Sequence, residues 1–229
     1  MSGRAFKDAI YEQFAHVAQA LSSPRRLELL DLLDQAPRTV EVIAAQTGMS
    51  VANTSQHLQV LRAAGLVEAT KAGLHVRYRL AGEDVAQLVL SLRRVTRRHR
   101  DDVRTLSRTF FGSSDELEPI DAPELLERKR RGEVALLDVR PAEEYALAHL
   151  PGAISLPLPE LAARIAELPA GRDVVAYCRG PYCVLAVQAV RLLRAHGFSA
   201  RRLEDGVREW AERGLTLEGI HPPSVQASA

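Results

Sequence analysis

The chain is short of cysteine, of long apolar runs and of net charge, and each shortage excludes something. Two cysteines in 229 residues, with no apolar signal core in Met1-Ser2-Gly3-Arg4-Ala5-Phe6-Lys7-Asp8, point to a reducing cytoplasm and to reactive rather than structural thiols. No run of 18 apolar residues occurs, so no membrane-spanning helix and no membrane partner is expected. There is no internal repeat. The formal net charge of +1 conceals an asymmetry: residues 1–113 carry 16 Lys/Arg against 11 Asp/Glu, whereas residues 114–229 carry 14 against 18. The first half is built to meet an anion. The length fits one to two domains, and 46% apolar residues is ordinary for a soluble globular protein.

Both cysteines stand in one stretch, Ala176-Tyr177-Cys178-Arg179-Gly180-Pro181-Tyr182-Cys183-Val184-Leu185. Asp173 to Tyr177 before it is short, apolar and β-branched, which reads as a buried parallel strand. After it Val184, Val187, Val190, Leu192 and Leu193 recur at helical spacing up to Gly197. Cys178 therefore sits where a strand ends and a tight loop turns into a helix, the place where open α/β sheets hold ligands. Loop N–H groups and a helix N-terminus favour a thiolate there. Two buried structural cysteines are the competing reading.

In the first half, Phe6, Ile10, Phe14, Val17 and Leu21 line one face of a helix over residues 5–21. Ser23 caps the next helix with Pro24 at its first position, and Pro37 ends it. Thr39 to Thr47 is a short helix closed by Gly48. Ser50 caps a further helix, Val51 to Ala63, with Val51, Thr54, Leu58 and Leu61 inward. Two short helices joined by Gly48-Met49-Ser50 make a helix-turn-helix. The outward face of the second carries Asn53, Gln56, His57 and Gln59, with Arg62 near its end, and Ser50, Thr54 and Ser55 are assigned with them. Amides of this kind reach base edges in a major groove. Leu66 to Ala69 and His75 to Leu80 alternate as strands around Lys71-Ala72-Gly73, with Val76, Tyr78 and Leu80 inward. Lys71, His75, Arg77 and Arg79 make this hairpin a wing for phosphates. A solvated polar face is the bland alternative, and the basic hairpin beside the helix argues against it.

From Asp84 to Phe110 the apolar positions Val85, Leu88, Leu92, Val95, Val103, Leu106 and Phe110 step by three and four, with His99 in the gap. Such a stripe, about 40 Å long at about 1.5 Å per residue, reads as a coiled-coil-like seam between two subunits. Arg93, Arg94, Arg97, Arg98, Arg100 and Arg104 occupy its other faces, solvated or meeting the acidic second half. Gly112 to Glu116 breaks the helix, and residues 113–119 read as a linker. Beyond it, strands at Val134–Leu137, Ala153–Ser155, Val174–Tyr177 and Ala200–Leu203 alternate with helices at 161–168, 184–196 and 207–213. That pattern is a small doubly wound parallel sheet. Residues 220–229 read as a disordered tail.

Two resemblances follow from these stretches. Ala20-Leu21-Ser22-Ser23-Pro24-Arg25-Arg26 through Ser55-Gln56-His57-Leu58-Gln59-Val60-Leu61-Arg62-Ala63-Ala64-Gly65-Leu66-Val67 resembles the ArsR family of winged-helix repressors, over about residues 5–110. The resemblance implies an operator-binding homodimer paired through residues 5–21 and 84–110. That family often senses metals through cysteines in the segment corresponding to Thr39–Gln46, which here has none, so no metal sensor and no cofactor is expected. Leu136-Leu137-Asp138-Val139-Arg140-Pro141-Ala142-Glu143-Glu144-Tyr145, His149-Leu150-Pro151-Gly152-Ala153, the Cys178 loop, and Glu204-Asp205-Gly206-Val207-Arg208-Glu209-Trp210 are similar to a rhodanese domain. This implies that Cys178 takes sulfane sulfur from a small donor such as thiosulfate or a persulfide, carries it as a persulfide and passes it on. Arg179, Gly180, Pro181, Tyr182 and Cys183 then form the catalytic loop. Asp138 and Arg140 are its structural support.

The expected architecture is thus an α+β multidomain chain. Residues 1–112 form a mainly α winged helix-turn-helix, and residues 120–219 an α/β rhodanese-like parallel sheet. Phosphoryl chemistry on the related phosphatase loops needs an arginine six residues after the cysteine, and position 184 is valine. Arg179 is the loop's only charge, attracting an anionic donor or pointing to solvent. Cys183 is an inert thiol, a resolving thiol for a Cys178 persulfide, or a second sulfur carrier. A zinc site from Cys178, Cys183 and His149 or His196 lacks the usual spacing. The reading reached is a regulator whose rhodanese half couples sulfur loading at Cys178 to operator binding. The alternative is a working sulfurtransferase tethered to a DNA-binding dimer without such coupling.

Overall fold

The computed structural model describes residues 1–111 and 119–220. The linker expected at 113–119 lies almost wholly outside the described residues, as do residues 221–229 of the expected tail. Ile220 is held, its N–H donating to the Ala146 carbonyl at 2.9 Å. The chain divides into two compact units, Met1–His99 and Arg100–Ala229. Among the described residues no helix is long and apolar enough to cross a membrane.

The first unit runs α1 (Gly3–Leu21), α2 (Pro24–Gln35), β1 (Arg38–Thr39), α3 (Val40–Thr47), α4 (Val51–Ala63), β2 (Val67–Ala72), β3 (His75–Leu80) and α5 (Glu83–His99). The helix starts follow side-chain chemistry. Ser23, Thr39 and Ser50 each accept an N–H from the third residue on, and Gly48 closes α3 at φ 67°. The antiparallel sheet has the order β1-β3-β2. Its hairpin turns on Gly73-Leu74, with Ala72 opposite His75, one step beyond the turn expected at Lys71-Ala72-Gly73. Leu29, Leu30, Ile43, Leu58, Leu61, Tyr78, Val85 and Val89 form the core.

The structure differs from expectation at several places in this half. Val51, in the first turn of α4, and Val76, on the hairpin, are exposed rather than inward. The helix expected over 84–110 is two helices, α5 and α6 (Asp101–Phe111), interrupted at Arg100. Within α5, Val85, Ala86, Val89 and Leu90 are buried, while Leu88, Leu92 and Val95 of the expected seam are exposed. Arg93, expected to be solvated or to meet the acidic second half, pairs with Asp31 of α2.

In the second unit, α6 is followed by α7 (Ala122–Arg130), β4 (Val134–Asp138), α8 (Ala142–Leu147), β5 (Ile154–Ser155) and α9 (Leu158–Arg164). A 3-10 turn at Ile165–Glu167 leads to β6 (Asp173–Tyr177), α10 (Val184–Ala195), β7 (Ala200–Arg202) and α11 (Val207–Glu212). The sheet is parallel throughout, in the order β5-β4-β6-β7. β4 and β6 are central, and both read as continuous buried runs, as strands covered on two faces must. Their C-terminal ends carry Asp138 and Cys178.

Candidate functional site

The cysteine loop is set by what pins its two ends. Backbone pairing on both sides of β6 fixes Tyr177, whose carbonyl accepts the Val139 N–H at 3.2 Å. α10 begins one residue after Cys183, which donates its N–H to the Gly180 carbonyl at 3.1 Å. The loop therefore folds back on itself, and Cys178 and Cys183 are joined as a disulfide with Cα atoms 6.3 Å apart, inside the span such a bond allows. Cys178 is 3% exposed, and Cys183 is partly exposed.

The pair expected at Asp138 and Arg140 is fully buried at the end of β4, next to Tyr177 of β6. Arg140 Nε donates to the two Asp138 oxygens at 3.0 and 3.1 Å, its Nη2 to Asp138 Oδ2 at 2.6 Å, and its backbone N–H to Oδ1 at 2.9 Å. A further bond from Nη2 to the Ala148 carbonyl at 2.7 Å ties the next segment to the strand end. Burial works against the Arg140 charge, but Asp138 holds its pKa above the usual arginine value. Tyr177 closes the layer: its hydroxyl accepts the Leu150 N–H at 3.1 Å and is hydrogen bonded to Asp138. Burial first, then the Asp138 charge, push the phenol well above its ordinary value, so Tyr177 is a neutral strut rather than an acid.

Arg179 does not simply point to solvent. Its guanidinium turns inward onto Glu144 of α8, with Nε 3.1 and 3.0 Å from the two carboxylate oxygens and Nη2 2.6 Å from Oε1. Glu144 is fully buried and Arg179 one-fifth exposed. The loop's one cation is thus already matched by an anion. On the far side the α11 segment presses in. A Cβ on Gly206 would fall 2.4 Å from the Arg179 carbonyl carbon and 2.5 Å from the Gly180 nitrogen, so only glycine fits. Gly180, at φ 154°, would place a Cβ 3.2 Å from both carboxylate oxygens of Glu209. Glu209 in turn accepts the Gly206 N–H at 3.0 Å. Pro181 and Tyr182 form the turn at the loop's outer rim, where Tyr182 is exposed.

Sequence reading missed Glu144, Gly206 and Glu209 as parts of this site. Glu144 lies 35 residues from its partner, and α8 is too short for a periodicity to show. Gly206 and Glu209 were visible inside the closing segment, but nothing in their spacing aims them at the loop. His149 stacks on Tyr145 at 3.7 Å between ring centroids and stands 3.4 Å from Glu218. Among the described residues no three His, Cys, Asp or Glu side chains group as metal ligands.

The first unit presents the other candidate surface. On α4, Asn53, Gln56, Gln59 and Arg62 are exposed, and Ser55 and His57 half-buried. Ser50 is exposed, with its hydroxyl occupied in capping Asn53 N–H at 3.2 Å. Thr54 is a correction: it is fully buried and donates its hydroxyl to the Ser50 carbonyl at 3.0 Å, so it shapes the helix from inside and cannot touch a base. Lys71, His75, Arg77 and Arg79 are all exposed on the hairpin. Arg79 pairs with Glu68 across the strands, and Arg77 reaches the Pro37 carbonyl at 3.3 Å.

Comparison with known proteins agrees with both halves. Residues 23–69 match the bacterial regulatory protein, arsR family, and residues 121–213 match the rhodanese-like domain. The HTH-type transcriptional regulator Rv0324 of Mycobacterium tuberculosis is 48% identical over 212 residues, covering 93% of each chain. A sulfurtransferase of Allochromatium vinosum is 35% identical over 100 residues, 43% of this chain and 92% of its own length. The solution structure of a homodimeric winged helix-turn-helix DNA-binding domain from Mycobacterium bovis is 46% identical. It covers 44% of this chain and 91% of that one, at a TM-score of 0.41.

Proposed function

We propose, for a chain that belongs to the ArsR family of bacterial regulators and carries a rhodanese-like domain in its second half, that Cys178 accepts sulfane sulfur and that this changes how the protein grips its operator. The observation that carries the reading is the position of Cys178. It directly follows the central strand β6, one loop before the N-terminus of α10, with a second cysteine close enough to bond it. The accepting form is the reduced loop, in which Cys178 is a thiolate. Asp138, Arg140 and Tyr177 brace the loop from below, and Arg179 fixes it through Glu144. The donor is a small sulfur compound such as thiosulfate or a persulfide. With the loop's only arginine already neutralised, binding of a dianion gains little there, which favours the persulfide.

The DNA side rests on the exposed row Asn53, Gln56, Gln59 and Arg62 of α4 and the basic strands of the hairpin. Two copies of the chain pair through α1 and α5. Phe6, Ile10 and Phe14 on one, and Leu88, Leu92 and Val95 on the other, are large apolar side chains left open to solvent in the single chain. The test is the Cys178→Ser protein, which should bind the operator as the reduced wild type does and lose every response to a persulfide donor. Sulfur-dependent release of DNA by that variant would move the sensing site elsewhere.

A second reading, that the domain turns over as a sulfurtransferase without affecting DNA, is favoured by the likeness to the Allochromatium sulfurtransferase. Many turnovers with thiosulfate and a cyanide or thiol acceptor, at unchanged operator affinity, would select it.

A further inference from the structure

We propose that the cysteine loop is a reductant of sulfane sulfur: Cys183 resolves the persulfide formed on Cys178, releasing hydrosulfide and leaving the Cys178–Cys183 disulfide. The inference rests on the reading that Cys178 accepts sulfur, and goes beyond it in assigning Cys183 an activity and the loop an end state. Three observations carry it. The two sulfurs bond with the Cα atoms 6.3 Å apart, while β6 stays paired on both sides and α10 begins in place. Cys183 therefore reaches the inner sulfur with both elements formed. The loop between them is held in that shape from three directions, by Glu144 on Arg179, by the Gly206 backbone against Arg179, and by the Cys183 N–H on the Gly180 carbonyl. Finally, exposure is divided between the two. In the disulfide Cys178 is 3% exposed and Cys183 partly exposed, so an outside thiol meets the Cys183 sulfur first.

The chemistry closes in two exchanges. The Cys178 thiolate attacks the terminal sulfur of a hydropersulfide RSSH, forming the Cys178–S–SH persulfide and expelling RS⁻. The Cys183 thiolate then attacks Sγ of Cys178, forming the disulfide and expelling HS⁻. The two cysteine sulfurs together lose two electrons, and the sulfane sulfur gains them as it becomes sulfide. An external dithiol resets the loop by attacking the more exposed sulfur, that of Cys183, which expels the Cys178 thiolate, and its second thiol then frees Cys183. The state that persists after exposure to persulfide is then a disulfide rather than a persulfide.

The experiment uses the full-length protein, reduced, freed of reductant under anaerobic conditions and given one equivalent of cysteine hydropersulfide. Bimane trapping counts the sulfide released, intact mass reads the protein, and Cys178→Ser supplies the background release. The wild type should release one sulfide per chain above that background and become lighter by two hydrogens. Cys183→Ser should instead gain one sulfur atom and release none. A wild type that keeps the added sulfur and releases no sulfide overturns the proposal while leaving Cys178 as acceptor. So does a Cys183→Ser protein that releases sulfide as the wild type does. A Cys183→Ser protein that gains no sulfur removes the acceptor reading itself, and this proposal with it.

Discussion

Replacing Asp138 with asparagine should destabilise the second unit by about 3–5 kcal/mol, the usual cost of removing one member of a buried ion pair. The carboxylate is fully buried, and Arg140, with 1% exposure, cannot swing out to water. Asparagine keeps the shape but removes the charge, and it turns an N–H₂ toward donors that need an acceptor. Glu144→Gln is the internal control, because it makes the same chemical change against an arginine that is one-fifth exposed. Arg179 can rehydrate, so that variant should lose only about 1–2 kcal/mol. The assay is urea unfolding followed by fluorescence of Trp210, the chain's single tryptophan, buried in the second unit. With a slope of about 2 kcal/mol per molar, Asp138→Asn should lower the midpoint by roughly 1.5–2.5 M. A shift under about 0.5 M, or a larger loss in Glu144→Gln, would refute the view that burial of the cation decides the cost.

Further outcomes are expected elsewhere in the molecule. Gln56→Ala should weaken operator binding by about 1–3 kcal/mol and hardly change binding to scrambled DNA. Lys71→Ala should weaken both alike and lower the slope of log affinity against log salt by about one. Fluorescence anisotropy over a salt series reads all three quantities. Leu92→Asp places a charge on the open face of α5 and should leave a folded monomer in sedimentation velocity, where the wild type sediments as a dimer. Asp173, whose carboxyl is held below its ordinary 3.8 first by the hydrogen bond from Arg128, gives a pH signature. Its folded pKa lies below the unfolded one, so its stabilisation is complete above the unfolded value and fades as pH falls through the folded one. Because the group is 38% exposed, the Asp173→Asn deficit should stay below about 1 kcal/mol. It should shrink toward zero on acidification in urea melts. A deficit that grows in acid would contradict the sign.

Local rules account for what the sequence showed. Capping serines and threonines three residues ahead of an N–H, a glycine after α3, and short apolar runs for β4 and β6 are short-range signals, and the elements they mark fall within a few residues of their expected bounds. The strand-loop-helix setting of Cys178 was legible for the same reason, and the roles of Asp138 and Arg140 came with the resemblance. What stayed hidden depends on contacts distant in the chain. Nothing near Arg179 says that Glu144 will take its charge, and nothing near Arg93 says that Asp31 will. The helix break at Arg100 has no proline or glycine to announce it. The apolar stripe of α5 was read as one seam, but the helix carries two faces. Val85 and Val89 serve its own core, and Leu88, Leu92 and Val95 are left outside. Thr54 was placed on the inward face by its spacing and also assigned to DNA, and its burial bears out the first and overrides the second.

The most direct test of the central claim is an operator titration on one sample of the full-length protein, using DNA from its own upstream region. It is run reduced and again after a persulfide donor, with intact mass recording the state of the Cys178 loop. The account predicts an affinity change of about tenfold or more, within the usual range of coupling between sites, appearing in step with the chemical change at Cys178 and absent in Cys178→Ser. Complete conversion of the loop with the two binding curves superimposed would contradict it and leave a sulfur enzyme carried on a DNA-binding protein.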